Sequence, residues 1–293
     1  MYKLSKVGLD TAHLTDEEIL SIQTAIVDAV RPGLIARRLM PANMLPHAGF
    51  RKVRGYKSTD MSQAAIDMDG QNKSLDIVTL ESFDVAVPVI HKEFKLLWRD
   101  ILSSRGGGIP LDTIHIQNAA RQVAEEEDKL ILSGEYTGWN ALGIEGLATA
   151  TGRNTVTGGD WDSGTNALTY IRNAIIELQT DGHMGPYGLV LPPAFYGQLN
   201  TLISNTGIMM REVAEKMCSG GIFPTGSLYA SGGSANSALV VEMVSGNFEI
   251  VIGQNIDTFM QQDSDMNING KVYEVLAPRI LHPTAICEIT SLT

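Results

Sequence analysis

The sequence predicts an α+β fold, and three observations lead there. A single dominant helical signal lies between Pro110 and Gly134, a C-terminal stretch consists of short strand-like runs separated by Gly or Asn turns, and a helix–strand–helix segment lies between them. Helical period governs the first, alternation the second, and the third contains both.

The long helix carries its own end signals: Asp112 as N-cap and Gly134 as stop. Between them Ile116, Ala120, Val123 and Leu130 recur at three- and four-residue intervals, while Arg121, Glu125, Asp128 and Lys129 fall on other faces. Glu125 and Lys129 have the spacing of an i,i+4 pair. The acidic run Glu125 to Asp128 is read as a solvated face, because consecutive helical positions point around the axis and not at one cation. After Ser133-Gly134 the register breaks, and Gly143-Ile144-Glu145-Gly146-Leu147 forms a tight apolar exit into a new unit.

Upstream, Thr15 and Glu18 have capping-box spacing, and Ile19, Ile22, Ile26 and Val30 form the apolar stripe of a helix. Pro32-Gly33 should kink or break it before residues 34–39 resume. Residues 46–74 are irregular, with Arg51, Lys52, Arg54 and Lys57 crowded around Gly55. A solvated loop fits them better than an RNA site, for which Phe50 and Tyr56 give little aromatic interleaving. Leu75 to Ile90 alternates as a strand through Phe83, Val85, Val87 and Val89. Phe94, Leu97 and Ile101 suggest a short helix, followed by a flexible turn at Ser103 to Gly108 that lacks phosphate-loop spacing.

Downstream, Asn166 to Gln179 is amphipathic through Leu168, Ile171, Ile175 and Leu178. Tyr187 to Leu191 is a short buried strand ended by Pro192-Pro193, and helix returns from Ala194 to Ile203. Asn205-Thr206-Gly207 is a polar turn before a helix carrying Met209, Val213 and Met217. Strands are expected at 239–243, 248–252, 256–260 and 272–276, with Asn269-Gly270 as a hairpin signal, and residues 280–289 close the sheet.

Composition narrows the class. The chain has 293 residues, 44% of them hydrophobic and 19% charged, enough to bury one large core or two smaller ones. Lys and Arg are outnumbered 33 to 22, giving a formal net charge of -11, which disfavours tight binding to a polyphosphate. Two cysteines make no disulfide framework, and MYKLSKVGLD lacks the basic start and apolar run of a signal peptide, so a reducing cytoplasm is expected. No apolar run approaches the length of a membrane helix.

Arg121 to Ala124, Glu127 to Gly134 and Gly143 to Leu147 together resemble the spine-helix segment of encapsulins, shell proteins with the HK97-type capsid fold of tailed phages. Residues 14–39, 88–101, 181–199 and 246–289 follow in the family's order, so the resemblance spans nearly the whole chain. It implies an N-terminal helical arm (1–44), an extended loop over a neighbouring subunit (45–76), a discontinuous peripheral domain (77–135 and 226–293) and an inserted axial domain (136–225). In that picture Arg37, Arg38 and Ile256 contribute to binding a cargo protein's targeting peptide, and Asn205, Thr206 and Gly207 line a pore near a symmetry axis. Some encapsulins hold a flavin against a tryptophan, here Trp98, although a packed or half-buried aromatic fits that position better; no other cofactor is expected. The implied partners are further copies of this chain in an icosahedral shell and a ferritin-like or peroxidase-like cargo, for iron storage or oxidative-stress protection. The alternative is the major capsid protein of a tailed virus or provirus packaging double-stranded DNA.

Catalytic constellations are missing from the sequence. HExxH, CxxC and GxSxG do not occur, and the six histidines are scattered singly. Cys218 beside Ser219-Gly220-Gly221 has no adjacent base and reads as a structural cysteine. The expectation is a non-enzymatic subunit whose function resides in its surfaces.

Overall fold

A computed structural model describes residues 20–22, 24–26, 35–58, 61–64, 66, 68, 77–107, 113–134, 142–162, 165–204, 206–228 and 236–293. Thr15, Pro32-Gly33 and Asp112 lie outside these residues. The spine is helix α3 (Ile114–Ser133), preceded by the short α1 (Ala36–Leu39) and by α2 (Trp98–Gly107). Ile116, Ala120 and Val123 are buried along it as the periodicity requires, joined by Ile131 and Leu132. Its polar pairs differ from the expected one: Arg121 bonds Glu125 at 2.8 Å, and Lys129 reaches back three residues to Glu126 at 2.7 Å.

The exit from α3 is built from two facing glycines. Gly134 adopts φ 73° and donates its N–H to Leu130. The next three orphan carbonyls are taken by the returning chain: Leu147 N–H bonds Ile131, Ala148 N–H bonds Leu132, and Thr149 Oγ1 bonds Ser133. All four terminal acceptors of the helix are thereby satisfied. A Cβ on either Gly134 or Gly146 would fall into the backbone of the other, so the close approach requires both.

The spine packs on a four-stranded sheet of order β1-β9-β10-β4, where β1 is Ala42–Met44, β4 Val89–Leu96, β9 Phe248–Gln262 and β10 Ile268–Ile280. β1 runs parallel to β9, and the other pairs are antiparallel. The two strands expected at 248–252 and 256–260 are one continuous strand, and the hairpin turn lies at residues 263–267, not at Asn269-Gly270. Asn269 and Gly270 are paired inside β10, and the ring of Phe94 lies across Gly270 where a Cβ would otherwise be. The glycine serves a cross-strand contact with an aromatic, the other common reason for glycine in a strand. Phe94 accordingly belongs to β4 and not to a helix, which begins at Trp98 and continues through the Ser103 to Gly107 segment expected to be a turn.

β2 (Lys52–Ser58) and β3 (Leu80–Ala86) form a separate two-stranded ribbon. Part of the stretch read as irregular is therefore a strand. Its basic residues are used within the ribbon: Arg54 pairs with Asp84 at 3.0 Å, and Lys57 lies 5.0 Å from the centre of the Phe83 ring.

A second core surrounds a five-stranded sheet of order β5-β11-β8-β6-β7. Its strands are β5 (Asn154–Thr157), β6 (Tyr187–Leu191), β7 (Gly221–Pro224), β8 (Ala238–Glu242) and β11 (Ile286–Thr290). Helices α4 (Asn166–Thr180), α5 (Pro193–Leu199) and α6 (Met210–Met217) accompany it. β8 and β11 come from the 226–293 range expected to belong wholly to the other unit, so residues 280–289 do not close the first sheet: β10 ends there and the last strand crosses into the second. In α6 the buried side chains are Met210 and Ala214, with Met209 exposed.

Gly270→Ala is expected to lower stability by about 1–3 kcal/mol through overpacking against Phe94, and Phe94→Leu in the same chain should recover part of the loss. Thermal unfolding of the two variants measures this.

Candidate functional site

The arm is attached to the spine by charged groups that leave water. The short α1 has no side-chain cap of its own at Ile35. Asp128 of the spine supplies one, its carboxylate accepting the N–H groups of Ile35 at 3.1 Å and Ala36 at 3.0 Å. Burial pushes Asp128 up to about 7, outweighing those two hydrogen bonds. One residue on, Arg37 makes a forked contact with Glu127, Nε to Oε1 at 2.5 Å and a terminal nitrogen to Oε2 at 3.0 Å. The same guanidinium reaches Glu274 of β10 at 3.2 Å and Asn255 of β9 at 3.2 Å. Arm, spine and sheet meet at one side chain.

Glu127 and Asp128 therefore overturn the reading of residues 125–128 as a wholly solvated face: they are 0% and 2% exposed. The signal that marks them is present in the sequence. Ile116, Ala120, Val123, Glu127 and Ile131 share one stripe at helical spacing, and Glu274 lies between inward-facing Val272 and Leu276 in a strand. Burial raises the pKa of both glutamates against the opposing effect of Arg37, Glu274 well above the ordinary carboxylate value.

The structure distributes the expected cargo residues unequally. Arg37 is committed to the carboxylates with its side chain 13% exposed, and Ile256 is buried in the first core. Arg38 is exposed and lies 5.2 Å from the centre of the Phe223 ring, which leaves its guanidinium accessible on the surface. Of the pore candidates, Asn205 lies outside the described residues. Thr206 and Gly207 occupy an exposed turn between α5 and α6, closed by Ile203 N–H to Ile208 and by Thr206 Oγ1 to Ile203. Gly207 has φ 69° and open space around it. Trp98 opens α2 with its N–H on Asn267 and stands 37% exposed beside exposed Leu97 and Leu102, an open apolar surface.

Other reactive groups are quiet. Burial pushes the Cys218 and Cys287 thiols up to about 12, far from the thiolate form. His183 contacts Glu242 through Nδ1 at 2.6 Å and Thr284 through Nε2 at 3.1 Å. Burial raises Glu242, but hydrogen bonds from Gly185 N–H, Asn247 and His183 outweigh it and hold the carboxyl below its usual range. Among the described residues, no group of three or more His, Cys, Asp or Glu is placed to hold a metal ion, and no helix is long and apolar enough to cross a membrane.

A spine on one sheet, a second core, a two-stranded ribbon and a docked N-terminal arm make up a fold of the HK97 capsid type. The fold is similar to the virus-like particle from Pyrococcus furiosus, with TM-score 0.72 and 19% identity over 94% of this chain and 98% of that one. It is also similar to the capsid of Myoviridae phage XM1, with TM-score 0.68 and 13% identity over 88% of this chain and 91% of that one. In sequence, residues 7–277 match the Linocin_M18 family, described as encapsulating protein for peroxidase. The chain is 32% identical to the type 1 encapsulin shell protein EncA of Myxococcus xanthus (strain DK1622), over 94% of this chain and 93% of the relative. The chain belongs to the encapsulin family.

Removing Arg37 leaves two buried glutamates facing each other. Arg37→Ala is expected to destabilise the subunit by about 3–5 kcal/mol, whereas Arg38→Ala should change it by about 1 kcal/mol or less. Denaturation midpoints of the two variants, compared under one buffer, separate the roles.

Proposed function

We propose that this chain assembles with copies of itself into a closed icosahedral shell in the cytoplasm and encloses a cargo enzyme recruited through a targeting peptide. The observation that carries the reading is apolar surface that one subunit leaves uncovered. Ile66 and Met68 are 100% exposed, Ile77 and Leu80 stand out at the approach to and start of β3, and Leu202, Ile208 and Met209 are exposed around the turn between α5 and α6. Apolar side chains so far out in water, in two separate segments of one subunit, are expected to meet neighbours. Repeated modest contacts of that kind close a particle by symmetry.

For the cargo, the family description names a peroxidase, which favours the oxidative-stress reading over iron storage in a ferritin-like protein. The peptide would lie against the exposed Arg38 and the adjoining face of Phe223, with Arg37 and Ile256 shaping the surface from beneath. The turn at Thr206 and Gly207 is the proposed pore rim, its hydroxyl and glycine giving a small polar opening. A flavin against Trp98 would be limited to stacking on an open apolar surface, and the absorbance spectrum of purified particles tests it. The viral reading shares the fold, and the formal net charge of -11 disfavours tight nucleic-acid binding by the chain itself, although an acidic lining can still enclose DNA packed by a motor.

Particles purified from native cells after protease and nuclease treatment test the function. A protected peroxidase or ferritin-like protein released only when the particle is opened is expected. Empty particles would contradict the cargo role, and protected double-stranded DNA would establish the viral one. Arg38→Asp should reduce cargo per particle several-fold without changing particle number.

A further inference from the structure

Three carboxylates, Glu127, Asp128 and Glu274, surround one guanidinium, that of Arg37, and all three carboxyl groups are buried. Fully ionised, the cluster would hold two uncompensated negative charges away from water, an arrangement that folded proteins avoid by taking up a proton. Its members are not equivalent. Asp128 is stabilised by two backbone N–H groups, and Glu127 by the forked contact with Arg37. Glu274 has one contact through Oε2 with the same guanidinium that holds Glu127, and its Oε1 is buried without a hydrogen-bond partner among the described residues. A buried carboxyl group with an unpartnered oxygen is held most readily as the neutral acid, whose O–H can be given to a neighbouring carboxylate.

We infer that Glu127 and Glu274 share one proton, and that this proton is a lock holding the arm at residues 35–37 against the spine and the sheet. The groups facing the pair are Arg37 from α1, Asp128 from α3 and neutral Asn255 from β9. Among the described residues that face the pair, only Arg37 is cationic. When the proton leaves, as a hydroxide or buffer base takes it, like charges face each other across Arg37 and the arm's attachment weakens. Burial of Asp128, which outweighs its two backbone hydrogen bonds, adds to the effect in the same direction.

The sign follows from linkage. The ordinary pKa of glutamate is about 4.3, and burial raises both glutamates in the folded protein. The unfolded chain therefore gives up these protons first as pH rises, so the cluster's contribution is full at acid pH and declines from about pH 4.5 upward through the raised folded values.

Thermal unfolding of assembled full-length particles at about pH 5.5 and about pH 8.5, for the wild type and Glu274→Gln, tests the lock. Glutamine is the neutral isostere of the protonated acid. The expected result is near-equal midpoints at the lower pH and a midpoint for Glu274→Gln higher by about 2–4 °C at the upper one. Infrared titration of the wild type should show a protonated-carboxyl band that Glu274→Gln lacks. Equal loss of stability at both pH values, failure of the variant to fold, or absence of the band would each overturn the shared proton.

Discussion

One guanidinium holds three parts of this subunit together. Arg37 comes from an arm near the chain start, Glu127 from the spine and Glu274 from the sheet, and these carboxylates are 90 and 237 residues away along the sequence. A buried ion cluster of this kind contributes little net stability relative to apolar packing, but its geometry is demanding. The arm has one orientation that satisfies Arg37 and also places the α1 N-terminus on Asp128. From there β1 is delivered to the edge of β9, where Ile250 N–H bonds Pro41 and Leu45 N–H bonds Ile252. In a subunit that must present the same surfaces many times over, a fixed orientation matters more than a few kcal/mol.

The second constraint is the exit from the spine. Gly134 and Gly146 touch through bare backbone, and the four last carbonyls of α3 are all bonded by residues 134–149. The chain therefore leaves the spine in a defined direction toward the five-stranded sheet. That sheet is completed by β8 and β11, which return from beyond the inserted segment. Its helices and strands bury a core that includes Trp161, Ile171 and Leu189. Strand pairing of β11 with both β5 and β8 ties the late end of the chain into the second unit.

Much of this was legible in the sequence because it is local. The period of α3, its glycine stop, and the buried strand Tyr187 to Leu191 with its proline end depend on neighbours within a few residues. What the sequence concealed depends on partners far away. Asn269-Gly270 has the composition of a turn, but Phe94 from another strand decides its conformation. Arg37 looked like a surface residue awaiting a ligand, yet the carboxylates that occupy it lie in an acidic run and in the middle of a strand. Both glutamates stand on apolar stripes, so residue position, and not residue type, held the clue. Arg38 alone of the three cargo candidates combines charge with exposure.

Electron cryo-microscopy of the chain expressed alone and treated with nuclease shows whether this fold makes a self-sufficient shell subunit whose arm is fixed from within. Uniform closed icosahedral particles, with residues 35–40 seated on the spine and Arg37 between Glu127 and Glu274, are the predicted result. Open sheets, free rings of subunits or particles that form only around DNA would contradict it.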